Sequence, residues 1–452
     1  MSEAALPASQ MRGAPPAAAG PSSHAADAAN GTDAVQAKGK QSQFRLIAAC
    51  SLGNALEMYD FTVYSFFALL IGKLFFPSDS PYGSLLLAVA TFGIGFVMRP
   101  LGGVIIGNYA DRKGRKAALT LTIGLMVAGT LCIALAPTYV SAGVFGSLMI
   151  LAGRLLQGFS LGGEVGAATS MLMESGGIRG RGFRVSWQLA SQGVAAVLGA
   201  LTGAALYAAL PQASLESWGW RLPFLFGLLI APVGFYIRAH LEETHRARSH
   251  ESSPMGQLLR EHGGTVLKGI FATTAGTAAM YLVVFFMPTY MIRVLHMPPS
   301  LSLLSGCATG ITMFAVALLA GRLADRLPNR KPLVIGSLVL GVLAVYPAFW
   351  LINHHPSVPL VLCLSVLLTA LVNLGTTPLF LMLLEMLPIG VRASGISVIY
   401  SVGVTVFGGS SQFIVTWLLA TTGNPMSPAF YMMACGVLSI CAVMGLNARR
   451  VD

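Results

Sequence analysis

Twelve long apolar runs separated by short polar stretches constrain this chain more than any other feature. A helix rises 1.5 Å per residue, so crossing a hydrocarbon core of roughly 30 Å takes about 20 residues. Runs over 46–72, 84–107, 116–136, 142–174, 185–210, 220–240, 266–291, 300–321, 332–352, 358–386, 394–420 and 428–448 reach that length. Their glycines suit helices that pack backbone to backbone, and the alternating segments of roughly 10 residues that build a membrane barrel are missing. The predicted class is an all-α integral membrane protein with twelve transmembrane helices. Composition agrees: 55% of residues are apolar and only 10% are Asp, Glu, Lys or Arg, against roughly 25% charged in a soluble domain.

The net charge of +11 does not point to nucleic acid, because 23 of the 28 Lys and Arg fall on one set of ends and loops. These are the amino-terminal stretch, the loops near 108–116, 175–184, 238–268, 322–331 and 392, and the carboxy terminus. The alternate loops hold only Lys73, Arg221 and Arg293, while Arg99 and Arg154 lie within spans. Basic loops face the cytoplasm, so both termini are expected there, in a multi-pass inner-membrane protein. Residues 1–43 hold no apolar run and are rich in Ala, Ser, Gly and Pro. They are predicted to be a disordered cytoplasmic tail rather than a signal peptide. The remaining expected segments are a six-helix half over 44–240, a cytoplasmic loop at 241–265, a second half over 266–448 and a short cytoplasmic end at 449–452.

The two halves are read from an internal repeat. Gly107-Asn-Tyr-Ala-Asp111-Arg112-Lys-Gly-Arg115-Lys116 follows the second span, and Gly321-Arg-Leu-Ala-Asp325-Arg326-Leu-Pro-Asn-Arg330-Lys331 follows the eighth. Glu174 with Arg181, and Glu385 with Arg392, repeat a seven-residue spacing at a similar offset. Two parallel six-helix halves place a substrate site near the midplane between them.

Ionisable groups deep in a bilayer are costly and usually functional. Glu57 and Asp60 on the first span, Arg99 on the second, and Arg154 and Glu164 on the fourth are those groups here. None of the eight histidines lies deep in a span, so carboxylates must carry any protons. Asp60, Glu57 and Glu164 are the candidate proton carriers. Asp60 and Arg154 fall at similar depths, and an ion pair between them would neutralise two expensive charges. Protonating Asp60 would then free Arg154 for an anion, unless the pair only locks helices together. Arg99 is either a second anion contact or an interfacial anchor. Asn54, Tyr64 and Gln157 extend the same stripes at helical spacing. Gln188 and Gln192 share a face of the fifth span.

The second half has no deep charge, so it should supply polar, uncharged contacts: Thr274, Thr277, Tyr281 and Asn373. Each of these, taken alone, is as easily a helix–helix hydrogen bond. At the basic end, Asp111 and Asp325 lie near helix ends and can accept from helix N-termini, and Glu174 and Glu385 can pair with Arg115 and Arg330 or with their own loop arginines. The six cysteines lie inside apolar runs without CxxC spacing. Gly162-Gly-Glu lacks the Lys and preceding strand of a phosphate loop. No cofactor, metal or enzyme activity is expected, and the expected partners are a small-molecule substrate, protons and the lipid bilayer. The chain is expected to work as a monomer.

These residues carry a family resemblance. Gly-x-x-x-Asp-Arg-x-Gly-Arg-Lys at 107–116 resembles the loop motif of the major facilitator superfamily. Gly53-Asn-Ala-Leu-Glu-Met-Tyr-Asp-Phe61, Arg99-Pro-Leu-Gly-Gly103, Arg154-Leu-Leu-Gln-Gly-Phe-Ser-Leu-Gly-Gly-Glu164, Arg181-Gly-Phe-Arg-Val-Ser-Trp-Gln188 and Trp218-Gly-Trp-Arg-Leu-Pro-Phe224 resemble its metabolite:proton symporter branch. The resemblance implies proton-coupled uptake of a small metabolite by alternating access, and makes Asp111, Arg112, Arg115, Glu174, Asp325, Arg326, Glu385 and Arg392 candidate gating residues that hold the cytoplasmic side shut. Ser186–Gln192, Phe407-Gly-Gly and the 422–428 loop look most like the citrate-type members. Proline, betaine, shikimate and oxoglutarate carriers belong to the same branch, and a transporter-like sensor or a pore are the other classes to exclude. The chain departs from the usual pattern at Met58 and Tyr109. It also has Pro328-Asn329 in place of Gly in the second loop motif, which weakens the equivalence of the two loops.

Overall fold

Backbone polar groups in lipid must be satisfied within the chain, and every regular element among the described residues is helical. The computed structural model describes residues 23–113, 115–177, 179–228, 232 and 254–446. The first helix runs Ser23–Phe66 and, after Phe67, turns by 64° into Ala68–Phe75. Its backbone therefore starts inside the stretch expected to be an unstructured tail, where alanines favour a helix. The second span is Gly83–Lys113 and the third Arg115–Ala134. The fourth combines Val144–Ser160, a tighter turn at Leu161–Gly163 and Glu164–Glu174, and the fifth is Arg181–Ala209. Of the expected sixth span over 220–240, residues beyond 228, apart from 232, lie outside the described residues.

The helix Pro254–Ala272 occupies part of the expected 241–265 loop and leads into the seventh span. That span continues through Thr274–Ala279, a wide π-helical segment at Met280–Phe286, and Met287–Arg293. The eighth, ninth and tenth are Pro299–Arg326, Lys331–His354 and Val358–Glu385. The eleventh joins Arg392–Gly403 to Ser411–Thr422 through a second π segment at Val404–Gly409, and the twelfth is Ser427–Met444. Among the described residues eight helices are long and apolar enough to cross a membrane, nine with the bent first one. Thr120–Ala134 and Val144–Ser160 are shorter apolar helices.

Glycines set how closely the spans meet. A Cβ on Gly158 would lie 1.7 Å from the Gly95 carbonyl oxygen, and one on Gly162 would lie 1.9 Å from that of Arg99. The second and fourth spans therefore touch backbone to backbone along the stretch that carries Arg99 and Arg154. Gly158→Ala must push them apart. It should lower stability by at least the roughly 1–3 kcal/mol of an overpacked core, read as a lower melting temperature of the purified protein. An unchanged melting temperature would contradict this packing.

The fifth and eighth spans and the second and eleventh both meet across the halves, and the repeat makes these two helix pairs equivalents. The fifth span lies along the eighth, where a Cβ on Gly193 would come within 2.5 Å of the Gly310 oxygen and one on Gly182 within 2.5 Å of the Gly321 oxygen. The second span meets the eleventh, where Thr405 donates to the Phe96 carbonyl at 2.8 Å. Pro100 explains that bond: it has no N–H, so the carbonyl four residues earlier lacks its helical donor. At the opposite end from the loop motifs, Lys73 bonds Glu216. The hydrogen bonds from Lys73 and Gln212 hold the Glu216 carboxyl below its ordinary range.

Candidate functional site

Asp60 sits about two helical turns before the bend of the first span at Phe67, and its side chain is buried. Its Oδ2 accepts from the Thr130 hydroxyl of the third span and, at 3.1 Å, from the Gln157 amide of the fourth. Gln157 also donates to Thr130 at 2.9 Å, while its own oxygen accepts from Arg154 Nη1 at 2.7 Å. The direct Asp60–Arg154 ion pair expected from depth is therefore corrected: the Gln157 amide stands between the two charges. Equal depth brings two residues to one level, but spacing along a helix cannot say whose side chain fills the gap. Gly227 of the sixth span closes the other side, since a Cβ there would lie 2.3 Å from Asp60 Oδ1.

Arg154 is fully buried, and aromatic faces stand in for water around it. Its guanidinium lies 4.1 Å from the Tyr64 ring centre, 4.5 Å from Phe61 and 5.1 Å from Phe92. Arg99, also buried, lies 4.3 Å from Phe96 and 5.3 Å from the same Phe61. Desolvated contacts of this kind are worth about 2 kcal/mol each, which helps two cations remain in an apolar interior. The Nε and Nη2 atoms of both arginines have no hydrogen-bond partner within the protein. Each such buried donor costs roughly 1–3 kcal/mol, so four together amount to a strong preference for an acceptor-rich, negatively charged guest. Tyr281, on the π segment of the seventh span, packs edge-on against Phe96 at 5.3 Å. Its hydroxyl lies within electrostatic reach of both arginines. Wide helical turns of this kind often occur at functional sites, because they aim a side chain off the regular register.

The other expected contacts sort themselves by partner. Tyr64 spends its hydroxyl on the Ala88 carbonyl at 3.1 Å and gives only its ring to Arg154. Asn54 bonds the Gln188 carbonyl and side chain and the Ser191 hydroxyl, joining the first span to the fifth. Gln192 reaches across the halves to Tyr400 at 3.3 Å, and Gln412 does the same to Ser65 at 2.8 Å. Thr274 and Thr277 bond backbone carbonyls, including Cys435 of the twelfth span, and Asn373 bonds the carbonyl one turn earlier. Thr274 thereby ties the seventh span to the twelfth, while the bonds of Thr277 and Asn373 stay within their own helices. Glu57 is half-buried one turn from Asp60 and has interactions of its own. The side chain of Glu164 lies outside the described residues.

At the loop-motif end, Asp325 accepts the Gly182 and Phe183 amides at 2.7 and 2.9 Å. A carboxylate on a helix N-terminus is favoured by the helix dipole, and here it ties the eighth span to the start of the fifth. Glu174 pairs with Arg392 at 3.2 Å across the halves, and Glu385 pairs with Arg330 within the second half. Arg326 is exposed, and the side chains of Asp111, Arg112 and Arg115 lie outside the described residues.

Thr130, Gly227 and most of the aromatic cage were not singled out by sequence. Phe92, Phe96 and Arg99 do recur at helical spacing and could have been grouped as one face. Thr130 carries no such signal: it is one hydroxyl in an apolar run.

Residues 50–411 match the family profile described as Major Facilitator Superfamily. The chain belongs to the major facilitator superfamily. The chain is 37% identical to the citrate-proton symporter of Klebsiella pneumoniae over 86% of its own length and 89% of that protein's. It is 33% identical to the proline/betaine transporter of Escherichia coli K12, over 88% and 82% of the two chains. The crystal structure of a D-xylose-proton symporter superimposes with a TM-score of 0.71 at 16% identity, covering 89% of this chain and 96% of that one, which supports the shared fold. The expectation of a multi-pass membrane transporter from the metabolite:proton symporter branch, with twelve helices in two halves, therefore holds.

Proposed function

We propose that this protein is a proton-coupled uptake symporter for a small organic polycarboxylate, with citrate the first candidate, working by alternating access. One observation carries the reading: two buried guanidiniums share an aromatic cage and present four unpartnered N–H-bearing atoms beside a buried carboxylate. Two carboxylates of one guest match two forks of donors. The 37%-identical citrate-proton symporter supports the same choice. A quaternary ammonium such as betaine needs open aromatic faces, but the faces of Phe61, Tyr64, Phe92 and Phe96 already hold guanidiniums.

Asp60 is the proton site of this reading, Arg154 and Arg99 bind the anion, and Tyr281 approaches from the second half. The termini face the cytoplasm, as the basic loops indicate, and the protein works as a monomer. The test is uptake into proteoliposomes under an imposed pH gradient, with labelled citrate competed by unlabelled di- and tricarboxylates, proline and betaine. Accumulation of citrate with alkalinisation of the acidic side supports the proposal. Accumulation of betaine with no competition by citrate would reassign the cargo, and a lack of gradient dependence would remove the coupling.

Glu174, Arg392 and Asp325 hold the loop-motif end closed, and this closure has its own prediction. Glu174→Gln leaves Arg392 with a neutral partner and should raise labelling of single cysteines placed between the halves at that end by a few-fold. Labelling at the wild-type rate would leave the Glu174–Arg392 pair without a gating role.

A further inference from the structure

The Gln157 amide is placed where a proton and an anion could be made to depend on each other. Its nitrogen donates to Asp60 and Thr130, and its oxygen accepts from Arg154. An ionised Asp60 accepts only, so the amide must present its NH2 to the carboxylate and its oxygen to the guanidinium. A protonated Asp60 is a donor and needs an acceptor. The torsion that turns a glutamine amide is broad and roughly two-fold, so a half-turn meets that need. The oxygen then faces the Asp60 hydroxyl, and the NH2 faces Arg154. Two donors cannot bond each other, so Arg154 Nη1 is released.

We propose that Gln157 is the coupling residue of this carrier: its amide turns over when Asp60 takes up a proton and hands Arg154 Nη1, together with its own NH2, to a carboxylate of the substrate. The inference rests on the transport reading above and adds the element that links the two ligands. The proton lost from the medium ends on Asp60, the substrate carboxylate accepts from Arg154 and Gln157, and no bond in the substrate changes. The relay is reciprocal: substrate bound to Arg154 holds the amide turned and so favours the proton on Asp60. The charged and titratable groups around it are Arg154 and Tyr59 near Asp60, with Glu57 one turn away, and Arg99, Tyr64 and Tyr281 near Arg154. Thr130 and the backbone at Gly227 complete the wall around the carboxylate.

The test compares full-length wild type with Gln157→Met, which fills the space without an amide, and Gln157→Asn, whose amide is too short to span both partners. Citrate dissociation constants are measured from acidic to alkaline pH, together with protons taken up per citrate bound from the buffer dependence of the binding heat. Wild-type affinity should fall by up to about tenfold per pH unit once Asp60 ionises, the limit for one linked proton. Citrate's own titration is common to all three proteins, so only differences in slope count. Both variants should lose the protein's share of the slope and of the proton uptake, whatever their affinity at acid pH. A variant that keeps the wild-type slope overturns the relay and leaves the transport reading standing. Loss of citrate binding at every pH in both variants would make Gln157 a plain substrate contact, which also overturns it. Wild type that binds citrate at no pH removes the transport reading itself. If Gln157→Met does not fold, Gln157→Asn decides.

Discussion

Asp60→Asn should abolish accumulation of substrate against its gradient while leaving exchange across the membrane measurable. The side chain is buried and hydrogen-bonded to Thr130 and Gln157, so an amide of the same shape can keep its place in the protein. What it cannot do is alternate between a charged and a neutral form. A pH gradient drives transport only through a group that binds a proton on one side and releases it on the other, and each pH unit is worth about 1.4 kcal/mol per proton. A permanently neutral residue 60 therefore removes that drive and leaves downhill exchange. Proteoliposomes loaded with unlabelled citrate and offered labelled citrate report exchange, and the same vesicles under a pH gradient report accumulation. Proton-driven accumulation at the wild-type level by Asp60→Asn would take Asp60 out of the coupling site.

Arg154→Ala should cost roughly 10²-fold or more in citrate affinity. Truncating one partner of a buried, hydrogen-bonded charge pair typically costs about 2–5 kcal/mol, and Arg154 lies among the rings of Phe61, Tyr64 and Phe92 with two nitrogens unpartnered. Arg154→Lys separates charge from shape. Lysine keeps the positive charge but loses the planar fork and the stacking surface, so it should fall between wild type and alanine. Arg99→Gln should hurt citrate more than a monocarboxylate, because it removes one of two forks. Equilibrium binding to purified, monodisperse protein checks all three. Wild-type citrate affinity in Arg154→Ala would rule out Arg154 as the anion site.

Much of this protein was legible without coordinates, because span length, charge avoidance and basic loops are local properties of the chain. Twelve runs, a matched pair of loop motifs and a handful of deep charges required no knowledge of which helix touches which. The same locality cannot say which partner a polar side chain takes. Thr274, Thr277 and Asn373 are candidate contacts by composition, and their donors bond backbone carbonyls, which a hydroxyl or amide in an apolar helix finds close at hand. The amino-terminal stretch reads as tail from its lack of apolar residues; its described backbone from Ser23 is helical, and helix formation by alanine needs no apolar face.

Class, internal repeat and the identity of the charged side chains within the membrane all follow from the order of residues alone, since burying a charge there is too costly to be incidental. That Arg99 and Arg154 share one aromatic cage, and that Gln157 separates Arg154 from Asp60, comes from the packing of the helices. Those relations depend on glycine contacts such as Gly95–Gly158 and Arg99–Gly162, which set how the second and fourth helices approach each other. Periodicity along one helix carries no information about the rotation and spacing of its neighbour.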